Sequence, residues 1–223
     1  MKKIIIILCS IIVVLAVGLV AVILFKGGKE NNNSDDSKHV SSTEKTYSIK
    51  DNEVYLIKVK GKVFKAGDKI SNVSQVGLKQ KDSDLNKTIP SNRYLLSMSL
   101  LNDVNKSVFK VVPLNSTDKT INVSDAVIGG VEVGDINYSK IPEDTLKLNI
   151  EFFGGIKLGW TYEDIVKVFG EPDFENEFKA DEKYNMPAYK TYTYSSGYKG
   201  FKFIIDDNGK VSQIEWNDYD YNE

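Results

Sequence analysis

One histidine, His39, and one cysteine, Cys9, are all the imidazole and thiol that the 223 residues contain. Nucleophilic triads need an imidazole beside the serine or thiol they activate, and zinc sites need several Cys or His ligands. His39 lies in a polar stretch near the amino end and Cys9 inside an apolar run, so neither chemistry can be assembled from the rest of the chain. The rest of the chain also has no second cysteine with which to form a disulfide. The doublets Gly129-Gly130 and Gly154-Gly155 lack the spacing and lysine of a phosphate cradle. We therefore expect no catalytic, cofactor-binding or metal-binding residues.

Carboxylates are plentiful, with 31 Asp and Glu residues, which leaves one catalytic alternative open: a carboxylate pair hydrolysing cell-wall glycan. Asp206-Asp207-Asn208-Gly209 begins like a calcium loop but has no bidentate Glu to close it, and reads as a hairpin turn. Glu163-Asp164 falls in the first turn of a predicted helix, where negative charge favours the helix dipole. The stretch YNMPAYKTYTYSSGY, residues 184–198, is richest in surface-forming chemistry. Strand alternation sends Tyr192 and Tyr194 to one face and Tyr189 to the other. Tyrosine gives large contact area at small entropic cost, so Tyr184, Tyr189, Tyr192 and Tyr194, with the loop from Phe174 to Pro187, are the candidate partner-binding residues.

The elements that must carry this surface begin with an anchor. Ile4 to Phe25 runs without a charged side chain, bracketed by Lys2, Lys3 and Lys26. As a helix it would span roughly 33 Å, enough for a hydrocarbon core of about 30 Å. A cleaved signal is the competing reading, with Ala16-Val17-Gly18 as a cleavage site, but signal cores stop at about 7 to 15 apolar residues. Leu8 before Cys9 is too large for a lipoprotein acylation site. The short basic amino end predicts a cytoplasmic N-terminus with the remainder extracytoplasmic. Three of the 29 basic residues flank the apolar run and all 31 acidic residues lie beyond it. The exported part is thus acidic, and nucleic acid is not an expected partner.

From Gly27 to Thr46 the sequence has one large aliphatic residue, Val40, too little apolar surface to offset ordering entropy. The expected organisation is a transmembrane signal anchor at 1–26, a flexible linker at 27–46, a first α+β unit at 47–140, a second at 141–217 and an acidic tail at 218–223. Val54 to Lys65 reads as a hairpin about Lys60-Gly61. Ile70, Val73 and Val76 then mark a short helix ending near Gly77, and strands follow at Arg93 to Leu101, Val108 to Leu114 and Val123 to Val133. About 92 residues later the order returns. Leu146 to Phe152 reads as a strand, Ile156-Lys157-Leu158-Gly159 parallels Phe64-Lys65-Ala66-Gly67, and Thr161 with Asp164 nearly forms a capping box. Ile165, Val168 and Phe169 make an apolar stripe that Gly170 and Pro172 end. Strands are expected at Ala188 to Ser195, Gly200 to Asp206 and Val211 to Trp216. A two-residue Asn208-Gly209 turn would pair Phe201 with Trp216, Phe203 with Ile214 and Ile205 with Ser212 on the core face.

The segment GGIKLGWTYEDIVKVFGEPDFENE, followed by a Tyr-rich strand and a closing hairpin, resembles the recurring unit of the beta-lactamase-inhibitor-protein-like (BLIP-like) fold. Its Gly-aromatic, Thr, acidic pair, apolar, Gly-x-Pro-Asp pattern is similar to that of the small SmpA/OmlA envelope lipoproteins and of anchored exported proteins of Gram-positive bacteria. The likeness covers Gly154 to Trp216 well and Tyr55 to Val133 weakly. There Ser71-Asn72 stands in place of the acidic pair and no Gly-x-Pro-Asp follows, so duplication and coincidence both remain open. The resemblance implies helices laid on antiparallel sheet, once or in tandem, that bind an envelope protein or cell-wall component without catalysis.

Overall fold

The computed structural model describes residues 47–219. The expected anchor, the whole of the expected linker and the last four residues lie outside the described residues, and among the described residues no helix is long and apolar enough to cross a membrane. The described part is α+β, mostly antiparallel sheet with a few short helices.

The chain opens with β1 (Leu56–Val59) and β2 (Lys62–Lys65). Lys60 and Gly61 both take positive φ, 49° and 83°, as a two-residue turn matched to strand twist requires. Ile70–Val76 forms a 3-10 helix that buries Ile70, Val73 and Val76. A spacing of three suits its three residues per turn better than an α-helix. There follow β3 (Lys79–Gln80), α1 (Asp82–Leu85), β4 (Thr88–Ile89), β5 (Arg93–Tyr94), β6 (Met98–Leu101), β7 (Ser107–Asn115), β8 (Ile121–Asn122) and β9 (Val127–Gly134). The single strand expected over Arg93 to Leu101 is two pieces, β5 and β6, both pairing with β7. Val123–Asp125, expected as strand, is a 3-10 turn.

The second segment contributes α2 (Glu143–Leu146), β10 (Glu151–Phe152), α3 (Tyr162–Phe169), β11 (Phe174–Phe178), β12 (Tyr189–Ser196), β13 (Lys199–Asp206) and β14 (Val211–Asp218). The strand expected from Leu146 shrinks to β10. Pro142 and the acidic pair Glu143-Asp144 start a helical turn, and Asn149 at φ 48° redirects the chain.

Nine strands form one sheet in the order β11-β12-β13-β14-β9-β7-β6-β3, with β5 added beside β7. Each segment thus supplies a helical stretch followed by a four-strand antiparallel run, and the last strands of the two runs, β9 and β14, pair from Gln213↔Gly134 to Asn217↔Gly130. A smaller sheet, β10-β1-β2, also draws on both segments. It packs on the same face of the large sheet as α3: Tyr55 stacks on Phe201 at 5.4 Å, and Phe169 lies 5.0 Å from that same ring. Phe201, Phe203, Ile214 and Trp216 are buried beneath them, each large side chain contributing about 2–3 kcal/mol of transfer free energy.

Phe201 pairs with Trp216 and Phe203 with Ile214, but Ile205 meets Val211 rather than Ser212. The turn has three residues: Gly209, at φ 73°, donates to Asp206 O, and the Asp206 carboxylate accepts from the N–H groups of Asn208 and Lys210, each at 3.0 Å. A left-handed Gly at the third loop position produces a bulge and shifts the register by one.

Candidate functional site

α3 positions one wall of the site. Asp164 accepts the Thr161 N–H at 3.1 Å, which occupies an otherwise unpaired donor at the helix start. Ile165 and Phe169 turn to the core, and Gly170, at φ 78°, returns its N–H to Val166 O at 2.8 Å. This orientation sets Tyr162, at the first helical position, over β12. Its ring stacks on Tyr192 at 4.2 Å, and its hydroxyl donates to Glu171 Oε2 at 2.6 Å, a bond that pushes the phenol up to about 12.

The second wall is β11, read as part of a loop in the sequence. Asp173 pins its start by accepting the Ser195 N–H at 2.7 Å. From there Phe174 pairs with Thr193 and Phe178 with Tyr189. All five residues are exposed, Phe174 at 57 % and Phe178 at 42 %. Glu175 and Glu177 stand on the side of Tyr192 and Lys190, their register partners, while Phe178 stacks on Tyr189 at 4.6 Å. The alternation of FENEF, with apolar Phe174 and Phe178 set against Glu175 and Glu177, is the signal that could have identified this strand.

Between α3, the end of β11, β12 and the turn after β13 lies an open groove of about 550 Å³. Tyr189 and Tyr192 line it, as do Tyr162, Phe178, Glu163, Glu177, Asp207 and Lys190. Of the four tyrosines named from sequence, the structure brings these two together and leaves two apart. Tyr194 is 3 % exposed and its hydroxyl donates to Gly170 O at 2.8 Å, so it braces the helix end from within the core. Tyr184 sits at the tip of the β11–β12 connection, 64 % exposed, with the Lys183 ammonium 5.0 Å from its ring centre.

The groove is acidic. Lys190 Nζ lies 3.5 Å from Glu175 and 3.7 Å from Glu177, and the negative charge of Tyr192's phenolate form and of Glu177 holds its ammonium above the ordinary lysine range. Burial raises the Tyr192 phenol. The Thr161 hydroxyl holds Glu163 below the usual carboxylate range, and the Thr161 N–H does the same to Asp164. A glycosidase acid needs the opposite displacement, upward, to stay protonated. Among the described residues, no three His, Cys, Asp or Glu side chains gather as a metal site.

The opposite face of the sheet offers a contrast. Lys110, Glu132, Glu215 and Lys202 form a row across four neighbouring strands, with Lys110 2.6 Å from Glu132 and Lys202 3.0 Å from Glu215. Its charges satisfy one another, whereas the groove has one ammonium among several carboxylates. No family model, curated protein or solved structure matches the chain.

Proposed function

We propose that this protein is a membrane-tethered extracytoplasmic adaptor, a binding module that contacts an envelope protein or cell-wall component and performs no chemistry on it. In this reading residues 4–25 are a single-pass anchor with its amino end in the cytoplasm, 27–46 a tether, and the body two tandem BLIP-like units joined through β9 and β14. The supporting observation is the end strand β11, exposed at all five residues and flanked by the tyrosine-lined groove. Exposed aromatic residues beside a concave surface are the usual composition of a contact site.

The test is photo-cross-linking in intact cells of the full chain carrying a photoreactive residue at Phe178 or, as a control, at Val63, which is 43 % exposed on β2. The expected result is a discrete adduct from position 178 that contains one envelope component, with none from position 63. Equal, diffuse labelling at both positions counts against a defined contact site. Protection of the body from protease added to intact spheroplasts, with digestion only after lysis, counts against the extracytoplasmic placement.

A further inference from the structure

We infer that β11 is an acceptor edge: it takes an extended segment of a partner protein as a tenth strand, and that segment alternates basic with apolar residues. This rests on the adaptor reading and states its mode. β11 ends the strand order, and among the described residues no strand lies on its outer side. A terminal strand presents unpaired backbone donors and acceptors at every second residue, a ready template for added chain. The opposite terminal strand, β3, has two residues, one of them buried, and offers no comparable length.

The side chains of β11 specify the occupant. Glu175 and Glu177 project toward the groove side, where Glu163 and Asp207 add negative charge and Lys190 is the one ammonium along the lining. Phe174 and Phe178 alternate with them along the strand and remain exposed, Phe178 also bordering the groove where the strand ends. In an added strand the period of two carries over. Residues beside Glu175 and Glu177 therefore meet carboxylates, and their neighbours meet phenyl rings. Lys or Arg on the first set and Val, Ile or an aromatic on the second complement both sides.

The same pattern argues against a second copy of this chain. Antiparallel self-pairing centred on Asn176 would set Glu175 directly against the other copy's Glu177, and like charges in cross-strand positions destabilise the pair. A glycan has no strand backbone to continue the ladder. An extended basic peptide satisfies the backbone and both rows of side chains together.

The experiment uses the full chain in detergent micelles and three capped nonapeptides: one alternating Lys and Val, one alternating Glu and Val, and the Lys-Val peptide with alternate backbone nitrogens methylated. Binding is read by fluorescence anisotropy, and residue-level amide hydrogen exchange locates it. The Lys-Val peptide is expected to bind and to slow exchange within Phe174–Phe178 about ten-fold or more, with the Glu-Val and methylated peptides at least ten-fold weaker. Paired Glu175→Gln and Glu177→Gln changes should weaken the Lys-Val peptide about five-fold, the size expected of two exposed ion pairs. Both side chains are exposed, 49 % and 68 %, so the variant keeps the fold. Failure of the Lys-Val peptide to bind, equal binding of the Glu-Val peptide, or binding without protection of β11 overturns the inference. In any of these cases a discrete cross-link from Phe178 in cells still supports the adaptor reading, and loss of that cross-link overturns the reading itself.

Discussion

The two ends of the large sheet are built differently. At one end β3 comprises two residues, lies two residues after the 3-10 segment Ile70–Val76, which buries Ile70, Val73 and Val76, and is followed one residue later by α1. Little backbone is left open there, the usual way of blunting an edge. At the other end β11 runs five residues, all exposed, beside a groove of about 550 Å³. The two ends share one core and one strand ladder, so the contrast is local, set by how much chain follows each helical stretch before the first strand turns back. It shows that an end strand can be kept accessible while the sheet behind it stays closed to water.

The largest effect tests whether the two ends belong to one folding unit. Phe203 is 0 % exposed and packs 5.9 Å from both Phe201 and Tyr194. Phe203→Ala should cost about 3–5 kcal/mol through lost transfer energy and the cavity left behind. Denaturant unfolding followed by hydrogen exchange should report that loss at β6 and β12 alike. Exchange accelerated only near β12 would divide the body into separately folding halves and end the comparison. A second test is confined to the β11 end. Tyr194→Phe removes the hydroxyl that reaches Gly170 O and leaves a part-buried carbonyl short of a donor, a loss of about 0.5–1.5 kcal/mol. Faster exchange is expected in α3 and β12, with β6 unchanged.

The third effect is smaller and depends on pH. The Thr161 N–H holds the Asp164 carboxyl below its ordinary value of 3.8. Because the folded value is depressed, this contribution is fully present above the unfolded value and is lost as pH falls through the folded one. Asp164→Asn should therefore cost ~0.5 kcal/mol at neutral pH, small because the site is exposed and screened. The difference from the parent should shrink as pH drops below about 4. A stability gap that stays constant down to pH 2 would assign the cost to something other than charge.

The β11 end was the more legible of the two in the sequence. The capping pair Thr161 and Asp164, the stripe Ile165, Val168 and Phe169, and the Asn208-Gly209 turn are local signals, and the structure contains the helix and the hairpin they predict. Tyr189 and Tyr192 could be singled out because tyrosine on a strand is conspicuous. Their separation from Tyr194 was not visible, since it depends on α3 lying over one stretch of β12. β11 was missed because five residues with two glutamates resemble a polar loop until β12 supplies a partner. The register slip at Ile205 turned on one residue's backbone angle, Gly209. At the β3 end the pattern is weaker, since short pieces such as β3, β4 and β8 are shaped by pairing with chain far away in sequence.

The smallest effect should have the opposite sign. Gln80 in β3 is 8 % exposed, and among the described residues its amide nitrogen has no hydrogen-bond partner. A buried donor without an acceptor carries a desolvation cost of about 1–3 kcal/mol, and replacing it with an apolar group of similar shape removes that cost. Gln80→Met keeps the length and flexibility of the side chain, so stability should hold or rise by up to about 1 kcal/mol, read as a small upward shift in Tm. The equivalent change at the other end, Glu177→Met, relieves nothing, because Glu177 is exposed and its ion pair with Lys190 spans 3.7 Å, a geometry worth little. It should leave Tm unchanged while widening the apolar surface of β11. A clear loss of stability in Gln80→Met would mean that the amide is paired through water in solution. The β3 end would then be held by polar contacts as well as by its shortness.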